Sequence, residues 1–246
     1  MYPSDGSNEQ EKEMTQDVFS SHSILQYIID NDLAGHTTDP ARLPSLGQLA
    51  KELGVSRGKL REDMIAAQAY GIIEMRPGDG TYTRPFDFYA AIRPLVLYSI
   101  AYDRQNFDRF YRLRAQIEVA FWEKAVSGLG QAELDKLEHV LECAQSKLHG
   151  HPIEIPHVEH RDFHVQIYSQ MDNPYAQGLI KAYWDAYEAV GLHRYFELSY
   201  YEQMWSSHRA MVRAIQSGRI QEGKEVLIKH FTLLEDRLQD QQSLTP

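Results

Sequence analysis

Two short helices are written into residues 45–71 with almost nothing between them. Ser45 precedes Leu46, Leu49, Ala50 and Leu53, which share one helical face, and Gly54 ends the run. Ser56 opens a second helix carrying Leu60, Met64, Ile65 and Ala67, which stops at Gly71. The connection is only Leu53-Gly54-Val55-Ser56, too short for anything but a helix-turn-helix. Ile24, Leu25, Ile28 and Ile29 predict a helix from about Ser20 to Asp30-Asn31, followed by a loop with Gly35, Asp39 and Pro40. On the other side, IIEMR and TYTR predict two strands around the turn Pro77-Gly78-Asp79-Gly80.

After Pro85 the periodicity changes and no strand signal returns. Amphipathic stretches predict helices over 88–103, 107–126, 131–148, 156–170, 174–196, 200–216 and 220–238, broken at Gly128-Gly130, His149-Gly150, Asn173-Pro174 and Gly218. The expected organisation is a mainly α chain: a disordered acidic tail over 1–17, a winged helix-turn-helix over 18–85, and an all-α bundle of six to seven helices over 86–246.

The net charge of −10 over 246 residues argues, as a total, against nucleic acid. Divided by segment it argues otherwise. Residues 1–40 hold one Lys against eight acids, a net −7. Residues 41–84 hold Arg42, Lys51, Arg57, Lys59, Arg61, Arg76 and Arg84 against Glu52, Glu62, Asp63, Glu74 and Asp79, a net +2. The remainder therefore carries −5. The single cysteine, Cys143, excludes an intramolecular disulfide and a Cys-rich zinc site and fits a reducing cytoplasm. No apolar run approaches the ~18 residues of a membrane helix, and the start MYPSDGSNEQEKEMTQD has no secretory pattern, so a cytoplasmic location with no membrane partner is expected.

In a helix-turn-helix the N-terminal end of the second helix meets the base edges of the major groove. Here that end is Ser56, Arg57, Gly58, Lys59 and Arg61. Ser56 caps the helix, Arg57 or Arg61 suits a bidentate guanine contact, and Lys59 suits a base or a phosphate. Gly78 belongs to a turn shaped for a wing tip passing close to the backbone. The competing description is a solvated basic helix packed on its neighbour. The stretch LPSLGQLAKELGVSRGKLRE with YGIIEMRPGDGTY resembles the winged helix-turn-helix of the GntR family of bacterial transcriptional regulators. The resemblance implies DNA contacts for Ser56, Arg57, Lys59, Arg61 and Gly78. It departs at Leu46-Gly47, where the family commonly has an acid and a DNA-contacting Arg, which puts the operator sequence in question.

The chain has eleven histidines. His160 and His164 are four apart on one helical face, a spacing that lets both bind one metal. His208 lies ten residues before Gly218 and His230 twelve after it, so an antiparallel hairpin would set them at similar heights. Three helices would then bring four imidazoles together, as metal-binding bundles do. Taken singly, each histidine is also explained as an exposed or hydrogen-bonded residue.

RFYRLRAQIEVAFWEKA, HRDFHVQIYSQMDNPY and SSHRAMVRAIQSGRIQEGKEVLIKH resemble three segments of the FCD domain, the effector domain of the FadR-like branch of that family. The resemblance implies a divalent metal held by an Asp and three His, whose open positions take a small carboxylate. The matching positions are His160, standing where the pattern has Asp, and His164, His208 and His230. Neighbouring Asp162 points elsewhere on a regular helix. Four imidazoles suit Zn²⁺, Ni²⁺ or Cu²⁺ better than Mg²⁺ or Mn²⁺, so zinc is the expected ion, with nickel next. They also leave its charge uncompensated, which favours an anionic effector. Arg114 matches a family Arg facing the cavity; it either pairs an effector carboxylate or forms an exposed ion pair with Glu118. Asn173 matches a family Asn or caps the helix starting at Pro174. Tyr183, Trp184 and Tyr187 read as core packing.

The function expected is a DNA-binding regulator, a homodimer on a palindromic operator, with repression relieved by a small organic acid and no enzymatic activity. The alternatives are a metal-responsive regulator, a metal-dependent enzyme with a DNA-binding appendage, and an acyl-ligand pocket with an empty histidine site.

Overall fold

In the computed structural model, residues 23–33, 40–191 and 197–243 are described. The tail expected over 1–17, the loop at Gly35 and Asp39, and the end of the helix expected up to Phe196 lie outside them. The chain divides into two compact units, 1–91 and 92–246, a few residues beyond the boundary read from Pro85.

The first unit contains α1 (Ser23–Asp30), α2 (Leu46–Glu52), α3 (Arg57–Ala69), β1 (Ile73–Arg76) and β2 (Gly80–Thr83). A capping box starts α2: the Gln48 N–H donates to Ser45 Oγ and the Ser45 N–H to Gln48 Oε1, at 3.4 and 3.0 Å. Gly54, at φ +66°, supplies the left-handed residue that lets the chain reverse into α3. β1 and β2 pair antiparallel, with Ile73 opposite Thr83 and Arg76 opposite Gly80. Ile24, Ile28, Leu49, Leu60, Met64 and Ile73 close the core of this unit.

Residues 41–43 run beside β2 as a short third edge: the Leu43 N–H donates to Thr81 O at 2.8 Å and the Thr83 N–H to Ala41 O at 2.9 Å. Three residues before a proline carry no alternation from which a strand could be read.

α4 (Phe88–Tyr102) crosses the division between the units. The second unit continues with α5 (Gln105–Ser127), α6 (Gln131–Leu148), α7 (His157–Ile167), α8 (Pro174–Val190), α9 (Leu198–Gln216) and α10 (Ile220–Ser243). With α4 that makes seven helices among the described residues, as the sequence pattern implied. Trp122, Tyr111, Phe163, Tyr183 and Leu227 fill its core. α10 passes close to α5 because Gly223 has no side chain; a Cβ there would stand 2.7 Å from Trp122 Cζ2. The α9–α10 reversal turns on Gly218 at φ +68°, with the Arg219 N–H donating to Ala214 O at 2.9 Å. No helix among the described residues is long and apolar enough to cross a membrane.

Candidate metal centre and DNA-reading face

Three helices of the second unit carry the histidines inward. His160 and His164 stand one turn apart on α7, His208 on α9 and His230 on α10. They are 7%, 0%, 0% and 6% exposed, so none is a surface histidine. One ligand nitrogen from each lies within 4.8 Å of the others. His164 Nε2 and His208 Nε2 are 3.3 Å apart. Zn–N bonds of 2.0–2.1 Å give a tetrahedral edge of about 3.3 Å, so that pair already has a zinc-like separation.

Burial pushes all four imidazoles well below the ordinary histidine range, and their neighbours add to it: His164 and His230 around His160, Arg114 beside His164. They are held neutral, with lone pairs available. His160 Nε2, His208 Nδ1 and His230 Nδ1 are buried without a hydrogen-bond partner. Buried polar atoms are normally paired, and orphans at this density call for an ion or ligand. The residues fit a resident divalent metal. Asp162, half-buried and paired with Arg161, is not part of the cluster.

Arg114 on α5 is 2% exposed and Glu118 0%. The ion pair expected between them forms through Arg114 Nε and Glu118 Oε1, but buried rather than at the surface. The guanidinium lies over Tyr183 at 4.4 Å, Trp184 at 4.7 Å and Phe231 at 5.1 Å, and its Nη2 has no hydrogen-bond acceptor. Trp184 Nε1 and Trp205 Nε1 are likewise unpaired donors. The aromatic cluster is core, and it also walls the histidines: Trp184 stands 4.5 Å from His160 and Trp205 4.7 Å from His208. Asn173 caps α8, its Oδ1 accepting from the Ala176 N–H at 3.0 Å.

In the sequence, Glu118 stands out only as a partner for Arg114, one helical turn away. The structure places its Oε2 2.7 Å from His164 Nδ1. A signal was present: Glu118 sits among Ala115, Ile117, Val119 and Phe121, an apolar setting in which an acid needs buried partners.

On the first unit, Ser56 caps α3 by accepting from the Lys59 N–H at 3.1 Å. Arg57, Gly58, Lys59 and Arg61 are exposed. Lys59 is paired with the buried Asp63 one turn on. Gly78 takes φ +76° at the wing turn, and Arg42 braces that turn by donating to Asp79 O. Arg61, Ser45, Gln48, Arg76 and Gly78 line an open groove between α2, α3 and the wing. Gly47 has a visible consequence: a Cβ there would stand 3.3 Å from Arg57 Nη2, so the Arg57 guanidinium lies against the position where the related pattern carries its own Arg.

Comparison with known proteins fits both halves. Residues 21–83 match the bacterial regulatory proteins of the gntR family, and residues 109–233 match the FCD domain. The chain belongs to the GntR family and carries an FCD domain. The HTH-type transcriptional regulator LutR of Bacillus subtilis (strain 168) is 21% identical over 80% of this chain and 91% of its own. A protein of Escherichia coli (strain K12) named for regulation of an L-lactate dehydrogenase operon is 24% identical over 78% and 76%. The solved structure of a GntR protein of Streptococcus agalactiae superposes with a TM-score of 0.67 at 19% identity, over 89% and 99%, and shares the fold. This GntR-family chain is thus a DNA-binding transcriptional regulator and not an enzyme. GntR regulators bind operator DNA, and FCD domains bind small-molecule effectors and are often metal-associated.

Proposed function

We propose that this regulator is a cytoplasmic homodimeric repressor whose operator affinity is set by a small carboxylate bound at or beside a divalent metal, zinc foremost and nickel next, in the FCD domain. One observation carries the reading: four buried imidazoles, held neutral by burial, bring one nitrogen each within 4.8 Å of the others, and three of the four rings keep a nitrogen without a hydrogen-bond partner. His160, His164, His208 and His230 would hold the ion. When bound, the ion supplies a Lewis-acidic positive charge for an anionic effector. Arg114 Nη2, a buried donor without an acceptor, supplies a second cationic contact, and the tryptophan N–H groups can orient the rest of the molecule. Asn173 holds the α8 cap through its Oδ1, which leaves its Nδ2 as the donor for an effector contact.

On the DNA side, Arg57 and Arg61 are assigned base contacts, Ser56 and Lys59 phosphate or base contacts, and Gly58 and Gly78 close approach to the backbone. A module carrying only +2 binds weakly alone, so two copies on a palindromic operator are required for useful affinity.

The test is elemental analysis followed by a thermal-shift screen of carboxylic acids. L-lactate is the first probe, because one relative is named for an L-lactate dehydrogenase operon. One ion per chain is expected, lost in His164→Ala, with a carboxylate shift that disappears in the variant. A shift that persists in His164→Ala removes the metal from effector binding. A second reading, in which the ion itself is the signal, is favoured by the near-complete burial of all four histidines. Equal metal affinity of free and operator-bound protein would reject it, since linkage is reciprocal.

A further inference from the structure

Four imidazoles bring no negative charge to a divalent ion. Among the described residues of the 92–246 unit, Glu118 is the one buried acid, and it stands directly behind His164. Its two oxygens are divided between two partners: Oε1 takes Arg114 Nε, and Oε2 faces His164 Nδ1 at 2.7 Å. The backbone is fixed at the same place, because the Tyr168 hydroxyl donates to Glu118 O at 2.7 Å. Residues 164 and 168 of the α7 region thus both dock on a single residue of α5, and the His164 ring is held from behind.

That contact decides which His164 nitrogen is free. With Nδ1–H donating to the carboxylate, the lone pair is on Nε2, which is the atom 3.3 Å from His208 Nε2. The Glu118–Arg114 pair is neutral as a whole but turns its negative end towards His164. A carboxylate behind a metal-bound imidazole makes the ring a stronger donor. It does so while leaving the ion's own charge for an anionic effector.

We propose that Glu118 is the positioning residue of the histidine centre: through His164 it fixes the ligand nitrogen and places a carboxylate one hydrogen bond from the ion, in a centre where His160 stands in place of an acidic ligand. The inference rests on the four-histidine reading above. Arg114 then joins the two ligands of the domain, since the guanidinium bound to Glu118 through Nε is the one whose Nη2 remains for an effector.

Two measurements test it. In metal-free wild-type protein, long-range proton–nitrogen NMR of the histidine rings should show His164 as the Nδ1–H tautomer; an Nε2–H ring overturns the proposal. Zinc titrated against a chromophoric chelator should bind Glu118→Gln roughly 10- to 100-fold more weakly than wild type, with one ion per chain retained. Gln keeps the length and an acceptor for Arg114 but lacks the charge. Should Glu118→Gln fail to fold with Arg114 left unpaired, Arg114→Gln/Glu118→Gln removes both charges, and the same weakening is expected. Equal zinc affinity in the folded variant overturns the role of Glu118 alone. A wild-type protein that takes up no zinc overturns the four-histidine reading as well, and does so before any variant is compared.

Discussion

At the four histidines, burial and mutual proximity act in the same direction. Each imidazole is pushed below its ordinary pKa of 6.5 by loss of solvent, and a charge on one would repel the rest. The sign of the resulting pH dependence follows. The folded chain keeps these rings neutral, whereas the unfolded chain protonates them near 6.5, so unfolding takes up protons below that value. Stability of the metal-free protein is therefore at its plateau above about pH 6.5 and falls as the pH drops. The slope is about 1.4 kcal/mol per pH unit for each histidine still neutral in the fold. Urea midpoints for chelated protein at about pH 7.5 and 5.5 check this, and equal midpoints would contradict it. The convergence of the four histidines was legible from spacing: a four-residue interval on α7, and near-equal distances from Gly218 on the last two helices. The apolar setting of Glu118 signals its burial, but not its partner: a contact between residues 118 and 164 depends on how α5 packs on α7, and no local pattern encodes that.

The elements of the first unit follow closely from their punctuation. Ser45, Gly54, Ser56 and Gly71 each end or begin a helix for a local reason, a cap or a left-handed residue, and such reasons can be read along the chain. The edge formed by residues 41–43 has no such marker; it exists because β2 offers unpaired backbone groups to whatever passes beside it. The position of the Arg57 guanidinium against Gly47 also required three dimensions. On the assignment of Arg57 as a base reader, Arg57→Ala should weaken operator binding by roughly 10- to 100-fold, corresponding to about 1–3 kcal/mol for one bidentate contact. Non-specific DNA affinity should fall far less, and metal content should not change. Anisotropy titrations against operator and scrambled duplexes measure this; equal loss on both would make Arg57 a phosphate contact.

For the whole molecule, the distribution of charge matters more than its total. An acidic chain with net −10 carries its positive excess on the stretch that holds α2, α3 and the wing, so the remainder repels DNA while that stretch is attracted to it. The effector domain lies apart in sequence, and a ligand there acts on the operator only by favouring one state of the regulator over another. In the proposed function, the histidine centre links carboxylate binding to operator affinity. The most direct measurement is operator Kd for zinc-loaded and chelated protein, each with and without the carboxylate found by thermal shift. A shift of roughly 5- to 150-fold in Kd is expected for the zinc-loaded protein, and none for the chelated protein or for His164→Ala. The same shift in all three, or an operator Kd indifferent to the carboxylate in every state, would contradict that link.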